Sequence, residues 1–265
     1  MDAAALFRPD GDAFVSTDLT QGGWDPRHAN GAAVLALLGH CLEDVPTLVP
    51  MTLSRLTVDL VRPVPLGPRL QVTAEVVREG KKIQVVEQRV AVDDVVHVRA
   101  TALRLRDAAD AGAPTPRSTT DARPADALVD PEGAWSFSAM PDAPGFLRGI
   151  DLRRAPRTDG AGVGAWLRLQ VPVVAGEEVR ATARAVVGFD FANLVGVDDH
   201  PEGVTMINPD VTGHVLRSPV EGWIAVTGDT RFAPGGGRGL STAMLSDAEG
   251  VFAVVSVSQL VQARR

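Results

Sequence analysis

The chain has 265 residues, 45 % apolar and 22 % charged, which is enough for one large domain or two ordinary ones, each with a real core. Its net charge of −7 excludes the broad basic face that nucleic acid demands, and no apolar run approaches the roughly 18 residues of a membrane span. The single cysteine, Cys41, excludes an internal disulfide and a cysteine pair for zinc, and the N-terminus has no basic stretch before an apolar one, so a cytoplasmic setting is expected.

In chain order, a short strand is predicted at residues 13–17. The loop Gln21-Gly22-Gly23-Trp24-Asp25-Pro26 follows. Asn30 then caps a helix over 31–43 that is apolar on nearly every side and therefore central. Alternation predicts strands at 53–61, 70–78, 83–92 and 96–105, with turns at Pro65-Leu66-Gly67-Pro68, Glu79-Gly80-Lys81 and Val92-Asp93-Asp94.

From Asp107 to about Asp130 the chain is rich in Ala, Pro, Asp, Ser and Thr, the composition of a linker. This predicts an N-terminal unit over 1–106, a linker over 107–131 and a C-terminal unit over 132–265. In the second unit, strands are predicted at 145–154, 162–174 and 179–188, and a short helix at 190–197. Further strands follow at 211–216, 222–230, 240–246 and 251–262.

The two halves share an order of elements. Leu56-Thr57-Val58-Asp59-Leu60-Val61-Arg62-Pro63-Val64 and Val211-Thr212-Gly213-His214-Val215-Leu216-Arg217-Ser218-Pro219 align at an offset of 155. Each opens a set of strands, closing near Arg106 in the first half and Arg264 in the second. Identity is slight, so the expectation of two packed copies of one α+β unit rests on element order.

A helix entered through a Gly-rich loop, followed by hairpins and present twice, resembles the double hotdog fold. The segment 21–43, the Leu60-Val61-Arg62-Pro63 turn and the Arg78-Glu79-Gly80-Lys81-Lys82 hairpin resemble the thioesterase-like superfamily that includes bacterial type II acyl-CoA thioesterases. So does the stretch from Ile207-Asn208-Pro209-Asp210 to His214-Val215-Leu216-Arg217. The resemblance covers all but the linker. It implies an acyl-CoA substrate, no cofactor, and a water held by an Asp, a Thr and a Gln of the second unit. Position by position, Asp190 matches the Asp and Gln259 the Gln, while Asn208 stands where the family has Thr, with Asp210 two residues on. Asn retains an acceptor and two donors.

Thioester hydrolysis needs a placed water, an acceptor for its proton and donors where the oxyanion forms. Asp190 can take the proton while Asn208 and Gln259 hold the water. The helix entrance Asn30-Gly31-Ala32 is a candidate oxyanion contact. Gln259 carries the strongest signal, because it shares a strand face with Val255, Val257 and Val261, and a polar group there calls for a partner.

Each residue has a plainer reading. Asp190 also fits an N-cap, Asn208 ahead of Pro209 a turn, and the glycines tight turns. Arg78, Lys81 and Lys82 suit coenzyme A phosphates or a solvated hairpin tip. Trp24, Leu35 and Leu38 fit the wall of an acyl tunnel or ordinary core. His28 is a weak acid/base candidate. His40 and Cys41 are helix neighbours that point apart, so they read as core, and Gly235-Gly236-Gly237-Arg238-Gly239 lacks the Lys-Ser/Thr ending of a phosphate loop.

Two rivals remain. A non-catalytic acyl-CoA or acyl-chain binder would keep the fold without the chemistry. A hotdog enoyl-CoA hydratase needs an Asp and a His around Asn-Pro, where Met206 and Val211 stand. Self-association into a dimer or larger assembly is expected of such units.

Overall fold

Alternating apolar and polar side chains build most of the protein, and a computed structural model describes residues 4–107, 124–140, 142–158, 160, 162–197 and 203–263. In the first half, Phe7–Asp10 (β1) and Ala13–Ser16 (β2) precede the helix Gly31–Leu42 (α1). Met51–Leu60 (β3), Arg69–Arg78 (β4), Ile83–Val92 (β5) and Val95–Arg106 (β6) follow. Asn30 stands extended at the α1 N-cap and accepts from the Ala32 N–H at 2.9 Å, as its side chain favours. Asp93 and Asp94, at φ 47° and 63°, form the tight turn between β5 and β6.

The second half runs Trp135–Ser136 (β7), Phe146–Gly149 (α2), Ile150–Pro156 (β8), Val163–Leu169 (β9) and Ala181–Val186 (α3). A 3-10 segment, Phe189–Leu194, comes next. Val204–Ile207 (β10), Asp210–Val215 (β11), Ile224–Phe232 (β12), Arg238–Asp247 (β13) and Gly250–Ala263 (β14) complete it. Among the described residues, no helix is long and apolar enough to cross a membrane.

The strands hydrogen-bond in the order β1-β2-β4-β5-β6-β3-β11-β14-β13-β12-β9-β8-β7, with β10 also on β14. The halves join where β3 and β11 run antiparallel with Thr57 opposite Thr212, their hydroxyls 3.4 Å apart. These threonines lie 155 residues apart, the offset of the repeat, and the pairing puts them at a pseudo-two-fold axis. Going outward, Thr101 beside Thr57 corresponds to Ser256 beside Thr212, and Glu87 beyond Thr101 to Thr242 beyond Ser256. Each half wraps its helices in antiparallel sheet, which is the double hotdog fold.

Some predicted elements need correction. Residues 179–188 were expected to be a strand, but they contain the helix α3, because the alternating polar residues separate alanines, which favour helix over strand. The strand expected from 145 starts only at Ile150, after the single turn of α2. Strands β1, β7 and β10, too short for alternation to reveal, escaped prediction. In the expected linker, 108–123 lies outside the described residues, while Pro124–Ala127 forms a 3-10 turn and Leu128 packs with Ala155 and Ala225. Arg264 also lies outside them.

The main core lies between the inner sheet faces and α1, α3 and the 3-10 segment. Phe189, fully buried, lays its ring edge where a Gly213 side chain would stand. Gly213→Ala should therefore lower stability by about 1–3 kcal/mol through overpacking, measured as a fall in the urea midpoint with unchanged slope.

Candidate functional site

Asp190 lies in the 3-10 segment that follows α3. Phe189 anchors one side of it, and Phe191 stacks on Phe146 with ring centroids 6.2 Å apart. This segment crosses the N-terminus of α1, where Gly31 has no side chain. A Cβ there would stand 2.6 Å from Asp190 Oδ2. Asp190 Oδ1 accepts from Asn208 Nδ2 at 2.8 Å, and its backbone oxygen accepts from the same nitrogen at 3.1 Å. Burial pushes its carboxyl up to about 6, against the opposing pull of hydrogen bonds from Asn208 and the Ala32 N–H.

Asn208 sits at a jog in the chain. Antiparallel pairing of β10 with β14 ends at Ile207 opposite Leu260, which leaves Asn208 next to Gln259 in register. Pairing with β14 resumes along β11 one step out of phase, and Asp210 Oδ1 accepts the Ser258 N–H at 3.1 Å across the gap. That is a structural task for Asp210. Asn208 and Gln259 are both buried, at 9 % and 2 % exposure. Their oxygens, Asn208 Oδ1 and Gln259 Oε1, find no hydrogen-bond partner among the described residues. Gln259 lies over Gly239, where a Cβ would come 2.5 Å from Oε1. Asp190 and Asn208 are thus in contact, and the register sets Gln259 across from Asn208, its side chain turned to Ser241 and Gly239 on β13.

The acyl-CoA thioesterase N-terminal domain model matches residues 20–105, and its C-terminal domain model matches residues 120–262. The chain belongs to the acyl-CoA thioesterase family. Membership supports acyl-CoA thioester hydrolysis as its general activity. No curated protein matches it. A solved protein of Novosphingobium aromaticivorans, assigned provisionally as a thioesterase, is 21 % identical and superposes with a TM-score of 0.73, covering 98 % of this chain and 100 % of its own. The acyl-CoA thioesterase II TesB2 of Mycobacterium marinum is 16 % identical, TM-score 0.63, covering 99 % and 96 %. A protein of unknown function with a hot dog fold from Alicyclobacillus acidocaldarius is 14 % identical, TM-score 0.65, covering 97 % and 96 %. At these identities the likeness establishes the fold.

In this family member, the other residues singled out by sequence divide clearly. Asn30, Gly31 and Ala32 adjoin Asp190, but the Ala32 N–H already serves Asn30 and Asp190. The Gly31 N–H, first in the helix and without an intrahelical acceptor, has no partner among the described residues. Trp24 is 58 % exposed in the loop before α1, beside a cleft lined by Gln21, Gly22, Gly23, Pro26, Asp142 and Pro144.

Arg78 and Lys81 lie at the β4–β5 hairpin tip, which Gln84 ties to Pro46 beyond the C-terminus of α1, about 18 Å of helix from Gly31. Leu35 and Leu38 are wholly core. His28 pairs with Asp25 at 3.4 Å. His40 faces Glu177 at 3.2 Å, and burial pushes the Cys41 thiol up to about 12, so this pair offers no nucleophile.

Sequence reasoning missed Ser241 and Thr230, whose hydroxyls lie 2.7 Å apart; Ser241 also accepts from Gln259 Nε2 at 2.8 Å. The same parity signal that exposed Gln259 was present in β13, where Ser241 shares the inner face with Ala243 and Leu245.

NMR titration should find the Asp190 carboxyl near 6, and Asn208→Ala should move it higher by removing a bond that favours the ionised form. The linkage sign follows from a folded value above the ordinary 3.8: the stability contributed by Asp190 is full below pH 3.8 and is lost as pH rises through about 6.

Proposed function

We propose that the chain hydrolyses fatty-acyl-CoA thioesters to free acid and CoA by activating a water held among Asp190, Asn208 and Gln259. One arrangement carries the reading: a carboxylate whose proton affinity burial has raised is bonded to Asn208, and the amide oxygens of Asn208 and its register neighbour Gln259 are buried without a partner among the described residues. Buried polar atoms of this kind are normally satisfied by ordered water. A water donating one hydrogen to Asp190 and the other to a carboxamide oxygen turns a lone pair outward to the thioester carbon. Asp190 then takes the proton as the bond to carbon forms. The carbonyl oxygen, gaining charge, is stabilised by the Gly31 N–H at the positive end of α1. The sulfur leaves as CoA thiol, protonated from Asp190. No covalent enzyme intermediate, metal or organic cofactor is needed.

Asn208 in place of Thr suits this scheme. Its amide presents Nδ2 to Asp190 and leaves Oδ1 for the water. Trp24 is placed at the rim of the acyl path. Arg78 and Lys81, remote from Asp190, serve the distal phosphates of coenzyme A. The reading includes the unit boundaries 1–106 and 132–265 joined by 107–131, a cytoplasmic setting in keeping with the lone Cys41, and self-association, which light scattering measures.

Purified protein incubated with acyl-CoAs of graded length should release thiol, with activity rising as pH passes through about 6. Asp190→Asn should cut kcat by roughly 10²–10⁴ and abolish that acid limb. Acyl-CoA binding in calorimetry with no thiol released at any length above Asp190→Asn would replace the enzyme by a binder.

A further inference from the structure

We propose that Ser241 and Thr230 are positioning residues that fix which end of the Gln259 carboxamide faces the hydrolytic water; this rests on the water-activation reading above. The direction of the chain of bonds follows from its last member. Val195 O, a backbone carbonyl, can only accept, and Thr230 Oγ1 donates to it at 2.8 Å. With its one proton committed, Thr230 Oγ1 is an acceptor towards Ser241, 2.7 Å away, so Ser241 spends its own proton there. Ser241 Oγ can then only accept from Gln259, and the group it meets at 2.8 Å must be Nε2. Oε1 is thereby turned away from Ser241, as the orphaned acceptor of the site.

An amide's two ends are similar in shape, so packing alone selects poorly between them. Here a proton order set by Val195 selects. The anchor is itself well placed. Val195 directly follows the 3-10 segment that carries Asp190. Gly196, at φ +68°, brings the backbone so close to β12 that a Cβ would stand 2.7 Å from Asp229 Cα and Thr230 N. Ser241 is fully buried, which shields its two bonds from bulk water. One chain of bonds therefore links the segment holding the base to the amide on the opposite side of the water.

In the first half the arrangement has no counterpart. The repeat offset carries Ser241 back to Val86, which has no hydroxyl, and Gln259 back to Arg104.

Thr230→Val preserves side-chain shape but removes the hydroxyl, freeing the Ser241 proton for Gln259 Oε1 and inviting the amide to rotate. We expect Thr230→Val and Ser241→Ala each to lower kcat by about tenfold with KM within twofold, and Thr230→Ser to restore it. Because both act through Gln259, Ser241→Ala should add nothing to Gln259→Ala. Losses that multiply in the double variant, or that appear in KM and thermal midpoint rather than kcat, would overturn the assignment.

A readout independent of turnover separates this from failure of the thioesterase reading. The Gln259 side-chain amide signals in nitrogen–proton NMR, identified by their loss in Gln259→Ala, should be dispersed and slow to exchange, and should collapse in Thr230→Val without substrate. If no acyl-CoA is hydrolysed the enzymatic reading falls, and this chain of bonds is judged by those signals: collapse supports it, and unchanged signals sink it.

Discussion

Close approach of α1 to the helical layer of the second half is the constraint on which the site depends. Two glycines on α1 make it possible. At Gly39 a Cβ would meet Val186 Cγ2 at 2.8 Å and Ala183 Cα at 3.0 Å, and at Gly31 it would meet the Asp190 carboxylate. The helices cross antiparallel, and each N-terminus receives a carboxylate from the other half. Asp190 takes the Ala32 N–H, and Glu43 Oε1 takes the Thr182 N–H at 2.6 Å. The unsatisfied amides of one helix end thus hold the acidic side chain that follows the other helix. Glu43 and Asp190 differ in their company, since Asp190 also accepts from Asn208, whose neighbour in register on β14 is Gln259.

The pseudo-two-fold shows why one half carries the site. The repeat offset places Arg104 where Gln259 stands and Gln84 where Gly239 stands. Both side chains of the first half are buried and bonded. Arg104 Nη1 reaches Val45 O at 2.8 Å and Gln84 Oε1 at 3.1 Å, while Gln84 Nε2 reaches Pro46 O at 2.8 Å and Glu79 at 2.9 Å. Their polar atoms secure the chain leaving α1. In the second half, Gly239 removes a side chain and Gln259 keeps an oxygen free. Duplicating the fold gave two equivalent positions, and opposite use of their hydrogen bonds made one a brace and left the other with an acceptor that has no partner among the described residues.

What could be read from the sequence follows the length of its periodic signals. The strands β3 to β6 span ten to twelve residues each, so alternation placed them within two residues, and Asn30 announced α1 by its capping chemistry. Gln259 could be found because strand parity puts it among buried valines. At α3, Arg180, Thr182 and Arg184 alternate with alanines and imitate a strand. Six residues are too few for a helical period to contradict that pattern, and packing of Ala183 and Val186 against Gly39 decides. The jog at Asn208 and Pro209 depends on two pairings with β14, one on either side, so no local pattern could predict it. Nor could spacing reveal the orientation of an amide set by a carbonyl 64 residues away at Val195.

The polar neighbours of Asp190 are neutral, and this has chemical consequences. Desolvation raises its proton affinity, while Asn208 and the Ala32 N–H lower it through dipoles; no cationic group enters the balance. A guanidinium in place of Asn208 would hold the carboxylate more firmly, yet an opposite charge within ~4–6 Å depresses an acid by about 1–3 pKa units. The resulting carboxylate would be a poor acceptor for a water proton. Arg104 illustrates the alternative across the pseudo-axis, where a buried cation draws Gln84 and a backbone carbonyl into direct bonds. Carboxamides orient a water without cancelling the charge of the base beside it, and they do so only while their own ends stay correctly turned. A site made of neutral dipoles therefore needs its amides held in place more than it needs added charge, and at Gln259 that hold comes from the fully buried Ser241, itself bonded to the half-buried Thr230.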